Sequence, residues 1–373
     1  MQTAIACMLM RGGTSKGLFF RADDLPQNAQ QRDRVLLAAM GSPDVRQIDG
    51  VGGAHPLTSK VGIVSVSNQP GVDLEFLFAQ LQPATNVVDT TPNCGNMLAA
   101  VVPFALEANL VQAQGDTSTF RVLTLNTGMA ADIRLQTPNG GVQYSGHTRI
   151  DGVPGTAAPV EISFVDSAGS VCSSLLPSGQ AQDRITVTGE GFAAFTLDVT
   201  CIDNGMPLMI MRAEAMGISG QESVAELNAN ADLKRRLEAL RLQIAQKMGL
   251  GDVTNKNYPK MTLVSAPAHG GTINTRSFIP HVCHDAIGVL AAVTVATALK
   301  IPGTVCADFL PQEANKANTS TVSIEHPSGE FSVTLETDPA QPQAITRVAL
   351  LRTARLIMRG EVMVPSALWN KEQ

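Results

Sequence analysis

Apolar and polar residues alternate with period two along much of this 373-residue chain, the pattern of strands with one buried face. KVGIVSVS, VDLEFLFAQL, TFRVLTLN and ADIRLQT each predict a strand in the first half. FTLDVTCI, LMIMRA, KMTLVSA, STVSIEH and FSVTLET do so in the second. Two stretches carry the helical period with a polar face: LKRRLEALRLQIAQKM at 233–248, closed by Gly249, and the shorter NAQQRDRVLLAAM at 28–40, ending at Gly41. Two others are apolar on nearly every side. One begins near Cys94 and the other, AIGVLAAVTVATAL at 286–299, near Cys283. Such a helix must be wrapped all round, so each half is expected to curl a sheet about it.

The halves also repeat in sequence. TAIACMLMRGG echoes DVTCIDNGMPLMIMR, pairing Cys7 with Cys201; GVGGAHPLTSKVGIVS echoes GDVTNKNYPKMTLVS, pairing Lys60 with Lys260. NCGNMLAAVVPFALEANL echoes VCHDAIGVLAAVTVATAL, pairing Cys94 with Cys283, and TLNTGMAADIRLQT echoes SIEHPSGEFSVTLET, pairing Gly128 with Gly329. Four segments in one order, at offsets confined to 189–201, are a poor fit to chance. The expected fold is α+β, with two pseudo-symmetric domains, 1–183 and 184–373, facing each other across a cleft. The boundary is placed in SSLLPSGQAQD at 173–183, and the last strand or helix could pack back on the first half.

Hydrophobic content of 44% and charged content of 16% suit a well-buried globular chain. The net charge is −6 with scattered basic residues, which argues against a nucleic-acid partner. The longest apolar run has 14 residues, short of the roughly 20 a bilayer requires. No secretory signal is read at the N-terminus. Six dispersed cysteines without a CxxC read as reduced thiols, so a cytoplasmic location is expected.

Against these bounds the thiol in TTPNCGNMLAA is out of place. Most free cysteines are inert core residues. Cys94, however, stands at a helix entrance where Asn93 can cap, Gly95 permits close backbone approach, and the helix N-terminus favours thiolate. Lys60 begins an apolar strand, and burial would make its amine a usable base. RGGTSKG lacks the spacing of a nucleotide-binding loop. The groups of Gly12, Gly13, Thr14 and Ser15, with Arg11 beside them, suit a carboxylate, as does Arg276. His281 and His284 flank Cys283 in a spacing that is weak for zinc and better fits hydrogen bonds to an anion. Ser59 and Asn96 complete the candidate binding set. DGVPGTAAPVE at 151–161 reads as a structured loop without assignable chemistry.

Taken together, MRGGTSKG, QIDGVGGAHPLTSKV, DTTPNCGNML, RIDGVPGTAAPV, MGLGDV and IEHPSGE resemble the methylaconitate isomerase and 4-oxalomesaconate tautomerase family, over nearly the whole chain. The resemblance implies the diaminopimelate epimerase-like fold, each half a curled sheet or barrel around its helix. It also implies proton transfer on a small unsaturated di- or tricarboxylate without cofactor or metal. Lys60 and Cys94 match the family's lysine and principal cysteine, and Cys283 matches the second cysteine of the epimerase fold. The expected activity is tautomerisation or allylic isomerisation of 4-oxalomesaconate, an acid of aromatic degradation. The competing expectations are 2-methylaconitate cis–trans isomerisation, a two-cysteine racemase or epimerase, and a non-catalytic accessory of an aconitase. A homodimer is compatible with the sequence.

Overall fold

A computed structural model describes residues 1–91, 93–165, 167–254 and 256–370, the side chains of 341–344 excepted. It divides into two compact units, Met1–Val165 with Leu351–Gln373, and Asp166–Leu350. The stretch 173–183, whose composition suggests a boundary, lies inside the second unit.

The first unit contains β1 (Gln2–Gly12), β2 (Ser15–Arg21), α1 (Ala29–Met40), β3 (Lys60–Val66), β4 (Leu74–Leu81) and the short β5 (Val88–Asp89). Then follow α2 (Gly95–Leu98), α3 (Val101–Glu107), β6 (Thr117–Thr124), β7 (Met129–Gln136) and β8 (Val160–Phe164). The second contains β9 (Asp183–Val187), β10 (Phe195–Asp203), β11 (Pro207–Arg212), α4 (Val224–Ala229), α5 (Ala231–Lys247), β12 (Lys260–Ser265), β13 (Ile273–Phe278), α6 (Val289–Lys300), β14 (Thr319–His326), β15 (Gly329–Asp338) and most of β16 (Gln341–Arg352). The last strand, β17 (Ala354–Pro365), returns to the first unit.

The two units share one topology. In the first, β17 pairs antiparallel with β1 and β1 with β2; β2 runs parallel to β3, β3 antiparallel to β4, β4 parallel to β6, and β6, β7 and β8 are successively antiparallel. In the second, β9 to β16 repeat that series of relations strand by strand. Parallel neighbours require a crossover. The amphipathic α1 and α5 occupy the first crossover of each unit, and the apolar α2–α3 and α6 the second. The chain's end is thus needed at its beginning: β17 supplies in the first unit the edge that β9 supplies in the second.

Strand alternation sorts each sheet into two faces. Ile5, Cys7, Leu18, Phe20, Val61, Ile63, Ala79 and Leu81 face α1. The alternate positions face α2–α3, where Phe19 meets Phe104 and Phe76. In the second unit Cys201, Met209, Met211, Met261, Leu263 and Phe278 pack on Leu233, Leu237, Leu240 and Ile244 of α5. Ten of the twelve residues of α6 are buried. The amphipathic helices end as their sequences suggest: Asn28 accepts from the Gln31 N–H, and Gly41 closes α1 with φ 80°.

The first apolar helix differs from expectation. It breaks at Ala99–Ala100 into α2 and α3. Pro103 has no N–H to give the carbonyl four residues earlier, that of Ala99, so the ladder cannot run through. Among the described residues no helix is long and apolar enough to cross a membrane. Phe104→Ala empties the centre of the first unit, where that side chain is 2% exposed. It should cost about 3–5 kcal/mol, read as a lowered urea midpoint.

Candidate active site

Lys60 is the first residue of β3 and alternates with Val61 and Ile63, so it faces α2–α3 together with Gly62. Only 6% exposed, its ammonium lies 5.1 Å from the centre of the Phe78 ring and donates to Gln80 Oε1. Phe78 and Gln80 are on β4, directly opposite Gly62 and Lys60. The Gln80 amide nitrogen donates to the carbonyls of Pro56, Ser59 and Leu81, which fixes its oxygen toward the lysine. Gln80 was not among the candidates from sequence, although a polar residue on the Phe76–Phe78 face of VDLEFLFAQL is a readable signal. Ser59 is tied into the preceding loop, donating to Gln47 Oε1 at 2.7 Å and to the His55 carbonyl at 2.9 Å.

Gln80 also opens the path to Cys94. It pairs with Asp89 of β5, and the chain from there to α2 is pinned at each step. Asp89 accepts from Thr91, Asn126 holds the Thr90 carbonyl at 2.6 Å while bracketing Phe78, and Asn93 donates to Thr127 at 2.5 Å. Asn93 is therefore a tether and not the helix cap. Cys94 is the N-cap residue, half-buried and extended, without a side-chain capping bond. Gly95 begins α2, whose first N–H groups have no intrahelical carbonyl to meet.

The β1–β2 turn closes against the same helix end. A side chain at Gly12 would overlap the Asn96 carbonyl oxygen, and one at Gly13, where φ is +52°, the Asn96 side chain. Asn96 donates to Thr14 Oγ1 at 3.0 Å. Ser15 alternates with Lys16 and faces inward with Gly17, which contacts the Lys60 carbonyl and Met97. Ser15 Oγ, Asn93 Oδ1 and Asn96 Oδ1 are buried without a hydrogen-bond partner among the described residues. Buried polar atoms are seldom left so. Three of them occur on the residues around the entrance of α2, whose N-cap is Cys94, on the sheet face that Lys60 shares.

The candidates in the second unit are divided. α6 starts at Val289 with Gly288 as its N-cap, so Cys283 is not at the helix entrance. It bridges Phe278 at the sheet edge, is 2% exposed, and belongs to the α5-side cluster. Burial pushes its thiol up to about 11, against the lowering influence of Arg276. Arg276, opposite Leu263 on that same outer face, is committed to the carbonyls of Glu222 and Thr275 and to Asn274 Oδ1. His281 is exposed, 3.6 Å from Glu238. On the inner face stands Lys260, the repeat mate of Lys60 and likewise the first residue of its strand. Its ammonium is 3.3 Å from where a side chain at Gly288 would begin, and burial lowers its pKa. His284 is lowered as well, by burial and then by Lys260, and its Nδ1 accepts from the Ala286 N–H. The counterpart of Cys94 at this helix start is thus glycine, and the Cys94–Cys283 pairing in sequence is out by five residues. Arg11 shares the outer face of β1 with Ile5 and Cys7, away from α2. Among the described residues no three His, Cys, Asp or Glu side chains are grouped to hold a metal.

The family model described as PrpF protein matches residues 2–365. The chain belongs to the PrpF family. It is 49% identical over 369 residues to the 4-oxalomesaconate tautomerase of Pseudomonas putida, covering 99% of this chain and 98% of that one. It is 52% identical over 360 residues to the (4E)-oxalomesaconate Delta-isomerase of a Novosphingobium, covering 96% and 97%. A crystal structure of methylitaconate-delta-isomerase matches all of both chains with a TM-score of 0.84 at 34% identity. The chain is an isomerase, and its fold is the α+β, diaminopimelate epimerase-like one with two repeated halves.

Cys283 should resist iodoacetamide in the native protein at pH 8. A thiol held near 11 is ionised there to only about one part in a thousand, and its thiolate appears only as pH rises toward that value. Peptide mapping after alkylation checks this, with Cys283 labelled only once the chain is unfolded.

Proposed function

We propose that this PrpF-family isomerase moves a proton and a double bond in a small unsaturated polycarboxylate without a cofactor, and that 4-oxalomesaconate is its substrate. The observation that carries the reading is a buried amine on the inner face of β3 and a half-buried thiol at the entrance of α2, which packs on that face, together with three buried oxygens around the entrance that lack partners among the described residues. The two relatives near 50% identity, both named for oxalomesaconate, support the choice of acid.

The chemistry follows from the groups. A CH flanked by a carbonyl and an alkene is acidic because its anion is a delocalised dienolate. The reaction needs a base to take that proton, an acid to return one at another atom, and donors for the oxyanion formed between. Lys60 and Cys94 are the pair we assign, one in each role. Gln80 fixes the lysine, and Asn96, Ser15 and the turn at Gly12–Gly13 receive a carboxylate or the enolate oxygen. The glycine at the entrance of α6 and the outward burial of Cys283 weigh against a two-cysteine racemase.

Lys60→Met should lower kcat by about 10²–10⁴-fold, and Cys94→Ala should abolish incorporation of solvent deuterium at one of the two carbon positions. Ultraviolet absorbance of the conjugated acid and proton NMR in D₂O read these outcomes. Full turnover by the Lys60 variant would sink the assignment.

A further inference from the structure

A cavity of about 720 Å³ opens on the first unit, lined by Arg11 and Arg355. The two arginines are directly opposite each other on β1 and β17, so they share the outer face of the sheet, the one away from α2. Like charges in that relation repel. No acidic residue lines the cavity, and neither guanidinium has an ion pair among the described residues. Glu107, which the Tyr144 hydroxyl reaches from the rim, is taken by Arg359.

The second unit offers a control. Its own cavity, of about 560 Å³, also carries two arginines, Arg184 and Arg212. There Arg184 lies 3.6 Å from Asp198 and Arg212 2.9 Å from Asp308, so that cavity neutralises itself. The first does not.

Arg11 is held for use and not merely tolerated. One of its terminal nitrogens donates to the carbonyls of Gly13 and Thr353 and to Thr353 Oγ1, leaving Nε and the other terminal nitrogen without a partner among the described residues. Burial, and then the charge on Arg355, work against its ionised form, and a bound anion would offset both. The remaining walls are mixed: Val153, Pro154, Ala157, Ala354 and Ile357 are apolar, and Tyr144, Ser145 and Thr156 add hydroxyl groups. Val153, Pro154 and Ala157 come from DGVPGTAAPVE, a loop to which no chemistry has been assigned and whose Gly152 packs against Thr14 of the β1–β2 turn. Two guanidiniums beside a partly apolar wall that also offers hydroxyls suit carboxylates on a carbon skeleton better than an inorganic anion.

We propose that this cavity is a second, non-catalytic site for a small organic di- or tricarboxylate, bridged between Arg11 and Arg355. The test is calorimetric titration of the whole chain with tricarballylate, a saturated tricarboxylate that cannot be isomerised, comparing the wild type with Arg355→Gln. Loss of one binding equivalent per chain, or weakening of one by roughly tenfold or more, with kcat/KM unchanged, is the expected result. Arg355→Lys should recover part of it, and inorganic phosphate should not displace the ligand. Identical isotherms for wild type and Arg355→Gln would overturn the proposal. So would equal displacement by phosphate, or a parallel fall in kcat/KM, which would make the cavity part of the isomerase site. Because binding is counted directly, the result stands whether or not 4-oxalomesaconate proves to be the substrate.

Discussion

Everything at the proposed isomerase site depends on how closely α2 approaches the inner face of its sheet. Gly12 and Gly17 make that approach possible, since a side chain at the first would enter the Asn96 carbonyl and one at the second would meet the Met97 side chain of α2. Burial drives it. Met97, Leu98, Val101, Val102 and Phe104 are all nearly or fully buried, each worth about 1.5–3 kcal/mol. That sum exceeds the cost of the three partnerless oxygens at Ser15, Asn93 and Asn96, about 1–3 kcal/mol each. The helix can therefore carry an unsatisfied polar entrance because its apolar body over-determines where it lies. Strain and unmet hydrogen bonds persist at working sites on the same terms.

The repeated topology shows what has been kept and what has diverged. Both units start the strand after their first crossover with an inward lysine, Lys60 or Lys260. Only the first places a thiol at the helix start. The second puts glycine there and sets its lysine beside His284, both lowered by burial. The helices have diverged as well: α6 is continuous and almost wholly buried, while Pro103 splits α2 from α3. The short α2 leaves Cys94 on a tethered loop, held through Thr90, Thr91 and Asn93, rather than on a long rigid helix. A duplicated frame has thus become two unequal halves, one with lysine and thiol and one with lysine and imidazole.

Much of this was legible in the sequence. Period-two alternation located the strands, and the all-round apolar runs located the wrapped helices, because burial on one face or on all faces is written directly into residue choice. The repeat put Cys7 and Cys201 on equivalent outer faces but two residues out of register, since the pairings through Gly17–Lys60 and Leu208–Lys260 set Cys201 level with Leu9; Gly128 and Gly329 do both lie at the hairpin ends of β7 and β15. It failed at Cys94 and Cys283 because chemical identity was used as the register. Helix geometry sets the register instead, and the four residues between Cys283 and Gly288 are extra loop. The antiparallel return of β17 to β1 had no local signal, since pairing across more than 340 residues is decided by topology.

The arginines carry the sharper lesson. Arg11 is next to Gly12, and Arg276 comes shortly before Cys283, so proximity along the chain recommended both as carboxylate ligands of the isomerase site. Alternation alone would have sent them elsewhere. Arg11 is in phase with Ile5 and Cys7, which pack outward against α1, and Arg276 is in phase with Phe278, which packs toward α5. In a strand the neighbour is on the opposite side of the sheet. A motif that straddles a strand therefore cannot be assigned to one site as a block. The proposed isomerase site takes Gly12, Ser15, Lys60 and Gln80 because they share a face, and the residues between them are free to serve another surface.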